Sequence, residues 1–192
     1  MAKMFWEKDA NPRALEGKRI AVIGYGSQGR AHALNLRDSK LDVVVGLRRG
    51  GASWTQAEQD GWKLAAPIDA SKGADVVVML APDMAQPAIY TNEVAPNLKD
   101  GSMLLFSHGF NIHYGQIAPP KGVDVTMVAP KGPGNLVRRQ YEAGRGVPCL
   151  LAVHQDASGH AFDRTLAYAP KCGALRPFVE NELGQSVLRA RY

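Results

Sequence analysis

The stretch that most constrains the fold of this chain is residues 20–37, IAVIGYGSQGRAHALNLR. It begins with an apolar, β-branched run of the length expected for a strand buried on both faces. Gly24, Gly26 and Gly29 follow as G-x-G-x-x-G, and the apolar residues after them recur at helical spacing. Strand, glycine turn and helix in this order predict the start of a βαβ unit whose turn binds a dinucleotide. The alternative is a purely structural turn, because a chain with 20 glycines also forms such clusters by chance.

Each glycine of this motif has a separate physical role. Gly24 permits the tight turn, Gly26 lets the backbone approach a pyrophosphate, and Gly29 lets the helix pack closely on the strand. The phosphates would lie on the free N–H groups at the start of the helix.

The next apolar run, residues 43–47, indicates which dinucleotide is bound. An NAD-specific domain has Asp or Glu after this strand to accept from the ribose 2′-OH, whereas a 2′-phosphate needs cations and hydroxyl donors. This chain has Arg48, Arg49 and then Ser53, with no acid between Val43 and Gln56. The pattern favours NADP(H) over NAD(H); the alternative is two arginines that are merely solvated in a surface loop.

Composition restricts the other classes of function. A chain of 192 residues is long enough for one α/β domain, and its net charge of +5 is spread out rather than interleaved with aromatic residues. We therefore expect no nucleic-acid partner. Cys149 and Cys172 are too few for a metal cluster and indicate reduced, buried thiols in a cytoplasmic protein. The charged N-terminus and the short apolar runs predict neither a signal peptide nor a membrane span.

The remaining chain alternates between strand and helix patterns. This alternation predicts an α/β fold with a doubly wound, mostly parallel, Rossmann-like sheet. Further strands are predicted at residues 62–65, 74–80, 103–106, 123–128 and 149–153. Helices are predicted at 53–61, 83–95, 134–143 and 157–169, the first with Ser53 as N-cap and Gln56 completing a capping box. We assign residues 1–169 to the NADP-binding domain and 170–192 to a divergent tail, either helical or disordered.

Ligands of open α/β sheets bind at the carboxyl ends of the strands, where several loops converge. His108 directly follows one predicted strand and is placed to act as an acid, a base or a water-organising group. Lys131 follows the next strand and could stabilise a developing oxyanion. The alternative for both is a hydrogen-bonded turn residue. The other histidines, His32, His113, His154 and His160, are expected on the surface or in packing.

Together the motifs resemble the N-terminal domain of the ketol-acid reductoisomerase family. They are GYGSQG with AHALNLRDS, DVVVGLR, PD after ADVVVML, HGFNIHYGQI, APKGPG, LVRR and GVPCLLAVHQDASG, and they cover roughly residues 3–169. The resemblance implies an NADPH- and magnesium-dependent enzyme of valine, leucine and isoleucine biosynthesis. Such an enzyme converts 2-acetolactate or 2-aceto-2-hydroxybutyrate to a dihydroxy acid by alkyl migration and reduction.

The same resemblance implies a set of site residues. His108 would be the active-site residue, and Lys131 would help to organise the substrate, a 2-hydroxy-3-keto acid. The cofactor contacts, together with the glycine motif, would be Gly24, Tyr25, Gly26, Ser27, Gln28, Gly29, Arg48, Ser53, Pro82, Asp83, Met84, Ala85, Gln86 and Gly134.

Three positions depart from the family pattern. Arg30 stands where the family has a histidine after GYGSQG, and Asn135 stands where it has the histidine of APKGPGH. Gly51 replaces a serine that helps to hold the 2′-phosphate in relatives with this short loop. The preference for NADPH therefore depends on Arg48 and Ser53.

The larger departure is at the C-terminal end. The family continues through IETTF and DLFGEQ into a helical, knotted domain, and carboxylates there bind two magnesium ions. The tail here has no acidic pair at the required spacing, and Leu183-Gly184-Gln185 is at most a contracted DLFGEQ. We therefore assign no metal ligands, and treat Glu180 and Glu182 as solvated.

Alkyl migration needs divalent cations as Lewis acids, so we expect the cofactor domain to be incompetent alone. The alternatives are a metal-independent keto-acid or hydroxy-acid oxidoreductase and a non-catalytic NADPH-binding module. An uncovered apolar face also predicts self-association into a homo-oligomer.

Overall fold

A nine-stranded sheet forms the centre of the computed structural model, which describes residues 4–174 and the backbone of residues 178–180. The apolar runs of the sequence form its middle strands, and most of their side chains are fully buried. The strands are β1 (Met4–Phe5), β2 (Arg19–Ile23), β3 (Asp42–Gly46), β4 (Leu64–Ala65), β5 (Val76–Met79), β6 (Met103–Phe106), β7 (Asp124–Pro130), β8 (Cys149–Gln155) and β9 (Phe178–Glu180).

The order of the strands is β1-β9-β8-β7-β6-β5-β2-β3-β4. Strands β2 to β7 are parallel to one another, whereas β8 runs antiparallel to β7 and β1 antiparallel to β9. The chain leaves β2 towards β3 and β4, then returns to β5 on the other side of β2. This reversal makes the carboxyl ends of β2 and β5 a topological switch point, where ligands of such sheets bind. The predicted mostly parallel α/β fold is confirmed.

Helices cover both faces of the sheet. They are α1 (Ser27–Asp38), α2 (Trp54–Gln59), α3 (Pro67–Ser71), α4 (Gln86–Ile89), α5 (Phe110–His113), α6 (Gly134–Glu142) and α7 (Ala161–Lys171). Alternate residues of β5 point to opposite faces of the sheet and enter two different cores. Val76 and Val78 belong to the core that contains Tyr168. Val77 and Met79 belong to the core that contains Phe106. This alternation explains why β5 and its neighbour β6 are apolar at every position.

Three predicted helices differ from the observed ones. Ser53 is the residue before α2, but its backbone is already helical and its side chain forms no cap, so the predicted capping box is wrong. Residues 83–95 form a turn, the short α4, a π-helical turn (Tyr90–Val94) and then a 3-10 turn, rather than one helix. Helix α7 begins at Ala161 instead of residue 157, because Asp124 accepts from the N–H groups of Ala157 and Ser158 and holds them in a loop. The short helices α3 and α5 were not predicted.

The domain extends beyond the predicted boundary at residue 169, which lies inside α7. Cys172 and Ala174 are fully buried in the same core as Tyr168. Strand β9 then pairs with β8, so residues 178–180 belong to the sheet. The side chain of Glu180 and all of Glu182 and residues 183–185 lie outside the described part of the chain.

Both cysteines are buried and unbridged, as predicted. Among the histidines, His113, His154 and His160 are exposed and His32 is fully buried in packing, which confirms those predictions. Within the described residues, no helix combines the length and apolarity needed to cross a bilayer.

Burial makes His32 a determinant of the pH dependence of stability. Its Nδ1 lies 3.0 Å from the hydroxyl of Tyr168, and its Nε2 has no hydrogen-bond partner among the described residues. Burial lowers the pKa of His32 to about 4. The unfolded chain therefore binds a proton at pH values where the folded chain does not, and stability is lost as the pH falls below about 6.5.

We predict that the unfolding free energy falls by about 1 kcal/mol from this group between about pH 7.5 and 5.5. Urea unfolding at both pH values measures the change. His32→Gln should remove this part of the pH dependence, whereas His154→Gln, at an exposed histidine, should keep it. An equal dependence in the wild-type chain and His32→Gln would contradict the assignment.

Candidate functional site

The glycine turn between β2 and α1 lies at the switch point of the sheet. Gly24 has a φ of +103°, and a β-carbon there would lie 2.7 Å from the carbonyl oxygen of Leu80 and overlap the nitrogen of Ala81. A β-carbon at Gly29 would overlap the backbone of Gly24. By contrast, nothing lies within 4 Å of the β-carbon position of Gly26. The first and third glycines are thus required by packing inside the protein, while the second faces open space at the start of α1.

A second glycine loop, residues 132–134, docks on the start of α1. The N–H of Gly134 donates to Oγ of Ser27 at 3.0 Å, and the side-chain amide of Gln28 donates to the carbonyl of Gly132 at 2.7 Å. A β-carbon at Gly134 would overlap the backbone of Ser27. Three of the predicted cofactor residues, Ser27, Gln28 and Gly134, are therefore brought together by direct contact.

The loops after β5 and β6 meet beside the glycine turn. Asp83 follows β5, and its Oδ2 lies 3.2 Å from Nδ1 of His108, which follows β6. Each side chain is about one-third exposed, so the pair faces solvent at the edge of the sheet. Asn111 donates to the carbonyl of Asp83 at 3.0 Å and to the side-chain oxygen of Gln86 at 3.0 Å. These bonds fix the spacing of the two loops.

The predicted cofactor residues after β5 differ in exposure. Pro82 and Ala85 are exposed, and Met84 has 86% of its surface exposed. Gln86 is 3% exposed, and its amide donates to the carbonyl of Ala81 at 2.8 Å. The side chain of Gln86 thus supports the loop, whereas its neighbours are accessible.

The segment of residues 107–111 presents buried polar atoms that lack hydrogen-bond partners in the described part of the chain. They are Oγ of Ser107, Nδ1 of His108 and Oδ1 of Asn111. Although Asp83 is near the His108 nitrogen, the imidazole is not aligned for a hydrogen bond. Oε1 of Gln28 is unpartnered in the same way. Buried polar groups are normally paired, so these atoms are the ones that a polar ligand could satisfy.

Tyr25, which lies between the first two glycines of the motif, points into the protein. It is 4% exposed, and its hydroxyl donates to Oδ2 of Asp60 at 2.8 Å and accepts from Nε1 of Trp62 at 2.7 Å. Burial, with Asp60 as a further cause, raises the pKa of Tyr25 well above its usual value, so the hydroxyl stays protonated. A cofactor at this turn can therefore reach only the backbone of Tyr25.

The other predicted site residues lie in loops that follow the carboxyl ends of strands. Arg48 is exposed and Ser53 half-buried in the loop after β3, and Lys131 is exposed after β7. All three follow carboxyl ends of parallel strands and therefore lie at the same edge of the sheet as Gly26 and His108.

Sequence reasoning missed Asp60, and it placed Asn111 and Gly132 in loops at the strand ends without assigning either a role. Asp60 and Gly132 act through contacts with residues 30 or more positions away, which no local pattern reveals. Asn111 could have been singled out, because it lies in the HGFNIH motif immediately after a strand. Among the described residues, no group of three or more His, Cys, Asp or Glu side chains converges to hold a metal ion.

The switch-point glycine turn, the helix behind it and the polar loops of the neighbouring strands define a Rossmann-type dinucleotide-binding domain. Residues 14–177 match the family model described as acetohydroxy acid isomeroreductase, NADPH-binding domain. The chain belongs to this family, the ketol-acid reductoisomerases, and corresponds to its cofactor-binding domain.

Solved structures agree with this assignment. An NADH-preferring ketol-acid reductoisomerase from an uncultured archean is 41% identical, with a TM-score of 0.93, over 98% of this chain and 59% of that chain. The present chain thus spans about three-fifths of that relative.

More distant structures share the fold alone. A semialdehyde dehydrogenase NAD-binding protein from Cupriavidus necator, in complex with calcium and NAD, is 22% identical with a TM-score of 0.76, covering 91% of this chain and 66% of that one. Plasmodium falciparum pyrroline carboxylate reductase with NADP bound is 12% identical with a TM-score of 0.63, covering 88% of this chain and 58% of that one.

The different surroundings of Gly24 and Gly26 predict that the same substitution destabilises the fold strongly at one position and hardly at all at the other. Gly24→Ala should lower the unfolding free energy by more than about 2 kcal/mol, because it combines a positive φ with backbone overlap. Gly26→Ala should change it by less than about 0.5 kcal/mol, since φ is −73° and the space is open. Urea unfolding of both variants measures the difference. Equal destabilisation by the two alanines would contradict the described turn.

Proposed function

We propose that this chain binds NADPH through the N-terminus of α1 and carries the cofactor half of a ketol-acid reductoisomerase active site. The observation that carries the proposal is the open space at Gly26 between two glycines that packing demands. The first N–H groups of a helix have no intrahelical partners and, with the helix dipole, favour a pyrophosphate at that place. Since Oγ of Ser27 accepts from Gly134, its hydroxyl hydrogen is left to donate to a phosphate oxygen.

The loop after β3 supports a preference for NADPH over NADH. Arg48 is exposed and can pair with a 2′-phosphate, and Ser53 can donate a hydrogen bond to it. Of the two acids that follow, Glu58 is exposed on α2, and Asp60 is already engaged by Tyr25 and Arg30. Gly51 offers no side chain, and the archaeal relative prefers NADH, so NADH preference is the competing outcome of the titration below.

The described residues that would work on the substrate are His108, Asp83 and Lys131. When bound, NADPH supplies the hydride. On substrate binding, the Asp83 carboxylate, 3.2 Å from Nδ1, can come into line with the imidazole of His108 and orient it, so that His108 holds or donates a proton at the edge of the sheet. Lys131, at the end of β7, would stabilise negative charge on a substrate oxygen. The unpartnered atoms of Ser107 and Asn111 offer further hydrogen bonds to a polar ligand.

The described residues alone do not fit a magnesium site. Magnesium prefers a near-octahedral set of oxygen ligands, and the Asp83 carboxylate already faces His108. We therefore derive no step through the metal, and propose that alkyl migration needs carboxylates other than the side chains of residues 4–174.

The substrate, the cellular location and the oligomeric state are inferred from the chemistry of the chain. We propose a 2-hydroxy-3-keto acid as the small-molecule substrate and a cytoplasmic location, which two buried, unbridged thiols support. We also propose a homo-oligomer. Its support is exposed apolar surface near the site, where Met84 is 86% and Tyr114 47% exposed.

The cofactor proposal predicts a defined result in calorimetric titration with NADPH and NADH, with and without magnesium. NADPH should bind at least about tenfold more tightly than NADH, unaffected by magnesium, because the contacts are backbone N–H groups and Arg48. Gly26→Ala should weaken both nucleotides by at least about tenfold without loss of stability, because its methyl group occupies the pyrophosphate position. Absence of nucleotide binding would overturn the proposal, and tighter NADH binding would overturn the preference.

The catalytic proposal predicts turnover of 2-acetolactate only in complemented samples. The chain with NADPH and magnesium should be inactive alone and active when the remaining part of a relative is added in trans. His108→Ala should lower the complemented rate about 100-fold, the usual contribution of a positioned acid or base, while NADPH affinity stays unchanged. Metal-independent reduction of small keto acids would favour the oxidoreductase alternative. NADPH binding with no turnover in any sample would favour a non-catalytic module.

A further inference from the structure

A cluster of polar and aromatic side chains joins the glycine turn to the end of α2. Arg30 on α1 donates two hydrogen bonds from its guanidinium to the Asp60 carboxylate, from Nε to Oδ2 at 2.6 Å and from Nη2 to Oδ1 at 2.9 Å. Tyr25 and Trp62 extend the cluster through the tyrosine hydroxyl. Arg37, two turns further along α1, donates to the carbonyl of Asp60 at 2.8 Å and lies over the Trp62 ring at 4.6 Å.

Helix α2 depends on these contacts for its position. It has six residues, of which Ala57 is the only buried one, and a helix of this length is marginal without tertiary support. Trp54 and Trp62 add half-buried apolar contacts to the core. The polar contacts with α1 all converge on the C-terminal end of α2, at Asp60.

The loop that precedes α2 is continuous with it. The N–H of Gly51 donates to the carbonyl of Arg48 at 3.0 Å, and the N–H of Trp54 donates to the carbonyl of Gly51 at 2.9 Å. These bonds couple the loop to the helix, so the placement of Arg48 and Ser53 follows that of α2.

We propose that Arg30 is a positioning residue that, through Asp60, holds α2 and residues 48–53 in the geometry that receives the adenosine end of the dinucleotide. The inference rests on the proposed binding of NADPH. Because Tyr25 belongs to the glycine turn and bonds to the same carboxylate, the cluster also sets the spacing between the pyrophosphate and ribose positions.

The chemistry of the pair suits this role. Arginine presents a rigid fork that matches a carboxylate with two parallel hydrogen bonds, which fixes direction as well as distance. The Asp60 side chain is 13% exposed and that of Arg30 is 47% exposed. The pKa of Asp60 is lowered by its hydrogen bond to Arg30, so the carboxylate is ionised at neutral pH. Removing Arg30 would leave a mostly buried anion without its main partner.

The test uses the full chain with Arg30→Gln, Arg30→Lys, Asp60→Asn and the double variant Arg30→Gln/Asp60→Asn. Asp38→Asn is the matched control, because Asp38 forms an Arg–Asp pair with Arg138 at the other end of α1, away from α2. Two measurements are made on each: hydrogen exchange of residues 48–60 without nucleotide, and calorimetric binding of NADPH and of 2′,5′-ADP, which represents the adenosine end alone.

Arg30→Gln should speed exchange in residues 48–60 and weaken NADPH and 2′,5′-ADP equally, by about threefold or more. The double variant should bind both nucleotides no more weakly than the worse of the two single variants, because both substitutions remove the same contact. Arg30→Lys should keep part of the affinity that Arg30→Gln loses. Asp38→Asn should change neither measurement.

Unchanged exchange and affinity in Arg30→Gln would overturn the inference, as would the same changes in Asp38→Asn. Absence of nucleotide binding by the unaltered chain would instead contradict the proposed function. The exchange measurement would still report whether Arg30 holds α2.

Discussion

The close approach of the glycine turn to the end of β5 is the constraint on which the rest of the site depends. Gly24 lies against the backbone of Leu80 and Ala81, and Gly29 lies against Gly24, with no room for a side chain at either position. This contact locks the start of α1 onto the two strands at the switch point. It leaves the helix N-terminus facing outward, which is what an anion-binding site requires.

The remaining loops are attached to this centre by different means. The loop of residues 132–134 is bonded directly to Ser27 and Gln28, and the loops after β5 and β6 are bonded to each other through Asn111. These connections are hydrogen bonds between side chains and backbone groups, which fix distances more narrowly than apolar contacts do. The parts proposed to bind phosphate and to transfer a proton are therefore held at one edge of the sheet by the ends of parallel strands.

Sequence reasoning predicted the sheet well because its strands are continuous apolar runs. Residues 103–106 were predicted without error, and β2, β3 and β5 to within two residues at either end. The glycine motif and the residues after each strand followed from topology. The capping box at Ser53 failed because the same residue types also occur where the backbone is already helical. The contacts of Asp60 with Arg30 and of Gly132 with Gln28 could not be predicted, since separations of 30 and 104 positions leave no local pattern.

The two halves of the dinucleotide site differ in what holds them. The pyrophosphate position is fixed by backbone packing at Gly24 and Gly29, which tolerates almost no substitution. The ribose position depends on α2, a six-residue helix tied to α1 by one carboxylate and its partners. Free energies of such partly exposed pairs are small, so their loss would shift the loop without unfolding the core. In the proposed binding mode, selection of the cofactor can thus change through substitutions at Arg30 or Asp60, outside the loop itself, while the capacity to bind a dinucleotide stays fixed by the glycines.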